Sequence, residues 1–121
     1  LTPEPLPEDS AMDWPLLQTH RTLLGEQKVQ GLLAVLRDSI LQHRQALREA
    51  IGADDGSEVA HLAHRLAGSC DSLGFRALAN ELRWLEDAAR SNDEAAVRLL
   101  APQIDGQCQR SLDTLEQLLQ R

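Results

Sequence analysis

The chain has 121 residues, a formal net charge of −7, 42% hydrophobic residues and 26% charged ones, which fits one soluble domain around a single core. Only one of its 12 basic residues is a lysine, Lys28, and they are scattered among 19 acids, so there is no concentrated positive field of the kind nucleic-acid binding needs. No apolar run approaches the ~20 residues of a membrane span, and no signal-peptide pattern stands at the start.

"LTPEPLPEDS" places prolines at positions 3, 5 and 7 among acids, so residues 1–11 are expected to form an extended linker or tail. A short first helix follows. Asp13 can cap it, Pro15 suits its first turn, and Gly25 ends it. The second helix is expected from Glu26 to Ile51, with Leu32, Leu33, Leu36, Ile40, Leu47 and Ile51 as its buried stripe. Gly52 to Gly56 reads as a turn with a glycine at each end. The third helix starts at Ser57 as N-cap and closes at Gly74. The fourth covers Phe75 to Arg90, with Leu78, Leu82, Leu85 and Ala89 inward. Ser91 to Asp93 is the last turn and offers caps to the fifth helix. That helix carries Val97, Leu100, Ile104, Cys108, Leu112, Leu115 and Leu119, with Pro102 expected to bend it or delay its regular part. Ala, Leu, Gln, Glu and Arg abound and no stretch alternates like a strand. The fold expected is all-α, an antiparallel up-down four-helix bundle over residues 12–121 with the short first helix capping one end. Cys70 and Cys108 fall at apolar positions and read as reduced core residues, which fits a cytosolic setting.

The stretch "AHRLAGSCDSLG", Ala63 to Gly74, raises one question. A glycine in a helix interior costs about 1 kcal/mol relative to alanine, yet Gly68 stands in the third helix. At 100° per residue from Val59, residues Leu62, Ala63, Leu66, Cys70 and Leu73 fall within roughly 60° of zero and form the core stripe. His64 falls at about 140°, Gly68 at about 180° and His61 at about 200°, all facing away from the core. Gly68 is four residues after His64 and therefore its neighbour on the surface. A side chain there would crowd the imidazole. Ala67 is small as well, so bare surface is expected beside His64 from Ala67 to Gly68.

His61 and His64 share this face. Two histidines with Asp71 two turns away fall short of the three or four convergent ligands of a metal site, and none is expected. His43 is expected at the core edge. His20 is expected at the docking surface or simply exposed.

With its flanks, this stretch resembles the signature of histidine phosphotransfer (HPt) domains, as found at the C-terminus of hybrid sensor histidine kinases. His64, Leu66, Gly68, Ser69, Leu73 and Gly74 match, and "LANELRWLEDAARSND" is similar to the family's next helix, with its Leu85–Glu86 pair. The resemblance covers about Met12 to Gln120. It implies a phosphorelay intermediate that accepts a phosphoryl group from a receiver-domain aspartate onto His64 and passes it to another receiver. It is a carrier rather than an autonomous enzyme. An exposed imidazole is a suitable nucleophile at cytosolic pH, and positioning and charge neutralisation do most of the catalysis of phosphoryl transfer. The supporting or docking neighbours are Arg65, Ala67, Gly68, His61 and Asp71. The resemblance implies no cofactor on this chain and Mg²⁺ on the partner receiver. The expected state is a cytoplasmic monomer without nucleic-acid or direct membrane contact. One position departs from the pattern. Relatives usually place a basic residue where Ala67 stands, and Arg65, Arg76 or Arg83 would have to supply that charge. The same residues also fit a non-catalytic helical interaction module whose His64 is never phosphorylated.

Overall fold

The computed structural model describes residues 11–120 and contains the helices α1 (Trp14–Leu24), α2 (Glu26–Gly52), α3 (Gly56–Ser72), α4 (Arg76–Arg90) and α5 (Glu94–Leu119). Among the described residues there is no strand. The expected tail lies almost wholly outside the described residues.

Three aspartates start three of these helices. Each caps its helix by accepting a backbone N–H three residues on: Asp13 from Leu16, Asp55 from Glu58 and Asp93 from Ala96, all at 3.1 Å. The cap of α3 is therefore Asp55 and not Ser57, which lies one residue inside the helix. The reason is the turn that precedes it. The connections α2–α3, α3–α4 and α4–α5 share one backbone path. The middle residue is left-handed each time, with φ of 53° at Asp54, 86° at Gly74 and 57° at Asn92. The third residue donates back five positions, Asp55 to Ala50 (2.9 Å), Phe75 to Cys70 (2.8 Å) and Asp93 to Ala88 (2.9 Å). This double-bonded helix ending satisfies the orphan carbonyls and fixes the next helix start at the third turn residue. It likewise moves the end of α3 back to Ser72 and the start of α4 on to Arg76, with Phe75 as N-cap. Gly52 and Gly56, expected in the turn, are the last residue of α2 and the first of α3.

Such short turns make neighbouring helices antiparallel, and the four long helices form the expected up-down bundle. α2 (27 residues) and α5 (26 residues) outlast α3 (17) and α4 (15), by roughly 15 Å at 1.5 Å per residue. The amide of Gln30 joins the overhanging ends by donating to the Leu118 carbonyl at 2.9 Å. α1 fills the step above the α3–α4 turn. The Asp13 N–H donates to the Gly74 carbonyl at 2.7 Å, and His20 Nε2 lies 2.8 Å from the Ser72 carbonyl oxygen. A Cβ at residue 74 would sit 2.8 Å from the Asp13 carbonyl oxygen, so this close approach as well as the positive φ requires glycine.

The core is aliphatic around one aromatic ring, Phe75, with Leu17, Val29, Leu33, Leu36, Ile40, Leu66, Leu78, Leu82, Leu85, Leu115 and Leu118 buried. Leu32 is 42% exposed, and Val29 takes the inward place expected of it. Leu118 is more buried than Leu119. α5 begins at Glu94 and runs through Pro102, which is exposed, so the proline does not delay the helix. Cys70 and Cys108 are buried free thiols, and burial pushes both up, Cys70 beyond the physiological range and Cys108 to about 11. Among the described residues no helix is long and apolar enough to cross a membrane.

Candidate functional site

The outward face of α3 is where its sequence angles put it. His61, His64, Arg65, Gly68, Asp71 and Ser72 are exposed, while Val59, Ala63, Leu66 and Cys70 are buried. His64 is 70% exposed at its side chain. Helical side chains lean toward the N-terminus and cover the preceding turn, so the His64 ring lies toward His61. The backbone at Gly68 lies behind it. A Cβ built at Gly68 meets nothing within 4 Å. Its absence does not relieve a clash within the chain and leaves clear space for another molecule.

Ala67 is not part of that bare surface. It is 2% exposed. At about 80° from Val59 it sits on the flank of α3 that meets α4, in one row with the buried Ala60 and Ala63. α3 and α4 form the most extensive helix pair of the bundle, and this row of small side chains is what lets them approach.

That approach brings Glu86 of α4 to His64. The imidazole Nδ1 lies 3.1 Å from Glu86 Oε1. An ionised carboxylate only accepts, so Nδ1 carries the proton and donates it. The lone pair is then on Nε2, on the ring edge that faces solvent. Glu86 is fixed in turn by Arg90, one helical turn on, whose Nε and Nη2 donate to Oε2 at 2.8 and 2.7 Å. Burial pushes the Glu86 carboxyl up, but the hydrogen bonds from Arg90 and His64 outweigh it and hold the group below the ordinary carboxylate range. At 14% exposure it is a shielded anchor for an exposed ring.

The other charges of this face are divided. Arg83 Nη2 donates to Asp71 Oδ2 at 2.9 Å, so the aspartate two turns from His64 and one of the candidate cations neutralise each other nearer the C-terminal end of α3. Arg76 opens α4, far from the Glu86 level. Arg65 is exposed and takes part in none of the ion pairs of the described residues. Among the described residues no three His, Cys, Asp or Glu side chains converge as metal ligands would. His43 is half-buried at the core edge, its Nδ1 2.8 Å from the Ser39 carbonyl.

The Glu86–Arg90 pair was readable in the sequence as an i, i+4 neighbour pair. Its attachment to His64 was not, because it depends on the register of two helices.

Three comparisons bear on this geometry. The model of the family described as Hpt domain matches residues 31–121. A segment of 81 residues is 46% identical to "Sensor histidine kinase AruS" of Pseudomonas aeruginosa, and the match spans 67% of this chain but only 8% of that much longer protein. The fold is similar to the crystal structure of histidine-containing phosphotransfer protein B (HptB) from Pseudomonas aeruginosa PAO1, with a TM-score of 0.86 and 22% identity, over 92% of this chain and 96% of that one.

Proposed function

The chain belongs to the Hpt domain family, a phosphotransfer intermediate of two-component signalling, and on that premise we propose that His64 is its phosphoacceptor. One observation carries the assignment. His64 is the histidine held by its Nδ1 to a shielded carboxylate, with its other nitrogen turned to solvent beside the open surface at Gly68.

The step follows from that arrangement. The Nε2 lone pair attacks the phosphorus of an aspartyl phosphate, the P–O bond to the aspartate breaks, and the carboxylate leaves. The Nδ1 proton stays on the ring, where Glu86 offsets the positive charge that develops. Transfer to a second receiver is the reverse at a new carboxylate. The chain supplies a rigid helix, a fixed tautomer and a docking face. The acidic pocket and its Mg²⁺ belong to the receiver. Arg65, His61 and Gly68 lie at the contact, whereas the Asp71–Arg83 pair and the buried Ala67 contribute to shape.

The relative's name supports the further reading that this domain works within a sensor histidine kinase, and we propose with it that residues 1–11 serve as a tether and that the domain acts as a cytoplasmic monomer. The test is direct. The domain is incubated with a phosphorylated receiver, and the label it acquires is examined. Acid-labile, alkali-stable label that disappears in His64→Ala is expected. Label retained in that variant would move the site elsewhere, and no label on the wild type would favour a helical interaction module without phosphotransfer.

A further inference from the structure

A phosphoryl group on His64 would bring about two negative charges to a face where two of the arginines are already spent. Arg90 is bound to Glu86 and Arg83 to Asp71. Position 67, one turn from His64, is a buried alanine. Two basic groups remain on the α3 face, Arg65 and His61.

His61 has the better position. It is three residues before His64, so their Cβ atoms are about 5–6 Å apart. The His64 ring leans toward the turn His61 occupies, with Nδ1 tied to α4 and Nε2 outward. A phosphoryl group on Nε2 therefore projects over His61. The His61 ring is exposed, and no hydrogen bond or ion pair of the described residues engages it. Imidazole is also the side chain whose charge changes within the physiological pH range.

Resting on the assignment of His64, we propose that His61 is the titratable cation of the phosphoryl site, neutralising part of the charge on phosphorylated His64 as an imidazolium. The groups facing it are few. Along α3, Glu58 lies one turn before it and Arg65 one turn after. On α4 the charged groups at the level of His64 are Glu86 and Arg90, which pair with each other, with Asp87 next to Glu86 in the sequence. On α2 the charged residues of the last turns are Arg48, paired with Asp105, and Glu49, which accepts from Gln45 at 3.2 Å. None of these changes charge when His64 is phosphorylated, so the phosphoryl group is the new influence on the His61 ring. Two negative charges about 6 Å away across solvent move an imidazole titration by about one pH unit.

The experiment uses the intact chain with labelled histidines and phosphoramidate as phosphoryl donor. Phosphorylation is read by ³¹P NMR, with His64→Ala as control. The His61 ring signals, assigned with His61→Gln, are titrated before and after. The titration of His61 is expected to move upward by about one unit on phosphorylation, while His20 and His43 stay in place. In equilibrium with a receiver, the share of phosphoryl held by the domain should rise from pH 8 to pH 6 about threefold more in wild type than in His61→Gln. His61→Lys should hold the larger share at both pH values. An unmoved His61 titration in a protein carrying His64-dependent ³¹P signal overturns the proposal while leaving His64 in place. A ³¹P signal that is absent, or that survives in His64→Ala, removes the proposal together with the assignment beneath it.

Discussion

Replacing Glu86 tests whether the carboxylate under His64 sets its reactivity. In Glu86→Ala the Nδ1 bond of 3.1 Å is lost, and Arg90 loses its partner. A hydrogen bond to a charged group is worth roughly 1.5–3 kcal/mol. The His64 side chain is 70% exposed, and solvent screening at such a site brings the figure to about 1 kcal/mol. That amount corresponds to a rate of phosphoryl acceptance about fivefold lower. Glu86→Gln keeps an acceptor oxygen for Nδ1–H but gives up the charge that offsets the developing imidazolium, so its rate should fall between wild type and Glu86→Ala. The assay is the initial rate of ³¹P signal growth with phosphoramidate, alongside ring ¹⁵N shifts that report which nitrogen holds the proton. The expected result is a slower rate together with a mixed tautomer in Glu86→Ala. A wild-type rate with an unchanged tautomer in a folded Glu86→Ala protein would refute the reasoning, because the carboxylate would then neither orient nor activate the ring.

Gly68→Leu should fold as wild type, since a Cβ there meets nothing within 4 Å and the position faces solvent. It should react normally with phosphoramidate and at least tenfold more slowly with a phosphorylated receiver, as stopped-time transfer assays would show; equal losses with both donors would contradict a docking role. Gly74→Ala combines a φ of 86° with a Cβ 2.8 Å from the Asp13 carbonyl oxygen. It should cost roughly 2–3 kcal/mol and lower Tm by roughly 8–12 °C in a thermal melt, with an unchanged Tm as the contrary result. Asp105 accepts from Arg44 at 2.8 and 3.0 Å and from Arg48 at 2.6 Å. Those bonds hold its carboxyl at about 2 despite the opposing effect of burial. A folded-state value below the unfolded one contributes stability above about pH 4 that is lost as pH falls toward about 2. The side chain is 36% exposed, so the contribution after screening is about 1 kcal/mol. Asp105→Asn should be less stable by that amount at pH 7, with the gap closing between about pH 4 and pH 2 in urea titrations; a gap independent of pH would point to packing instead.

The helices and their order were legible because each has an apolar stripe at helical spacing and a short break after it, and three of the five have an aspartate before them. His64 and Gly68 were legible for the same reason, since one helix wheel separates inside from outside at 140° and 180°. The misses lie where a second helix decides. Ala67, at about 80°, is on a flank whose burial depends on where α4 sits, and nothing within α3 records that. Leu32 and Val29 compete for the overhanging half of α2, where α1 and α5 rather than α3 choose the inward direction. Asp55 and Ser57 are both good caps, and the backbone of the preceding turn selects between them. The Glu86–His64 bond joins residues 22 positions apart and follows only from the pairing of two helices.

Ala67 and Glu86 are two results of the same packing. Ala60, Ala63 and Ala67 form a row of small residues along the flank of α3, the helix that packs most extensively on α4. Interaxial distance depends on the side chains at the contact, and a glutamate has a short reach. The row that holds α4 close is therefore what places the Glu86 carboxylate within 3.1 Å of the ring. A long basic side chain at position 67 would start inside that contact and have to run out along it. This chain has alanine there and recruits its basic groups from outside the contact. Arg90, one turn beyond Glu86, anchors the carboxylate, and His61 and Arg65 flank the ring on its own helix. Charge support in this site thus comes from the exposed face of α3 and the far turn of α4, while the seam between the two helices supplies orientation.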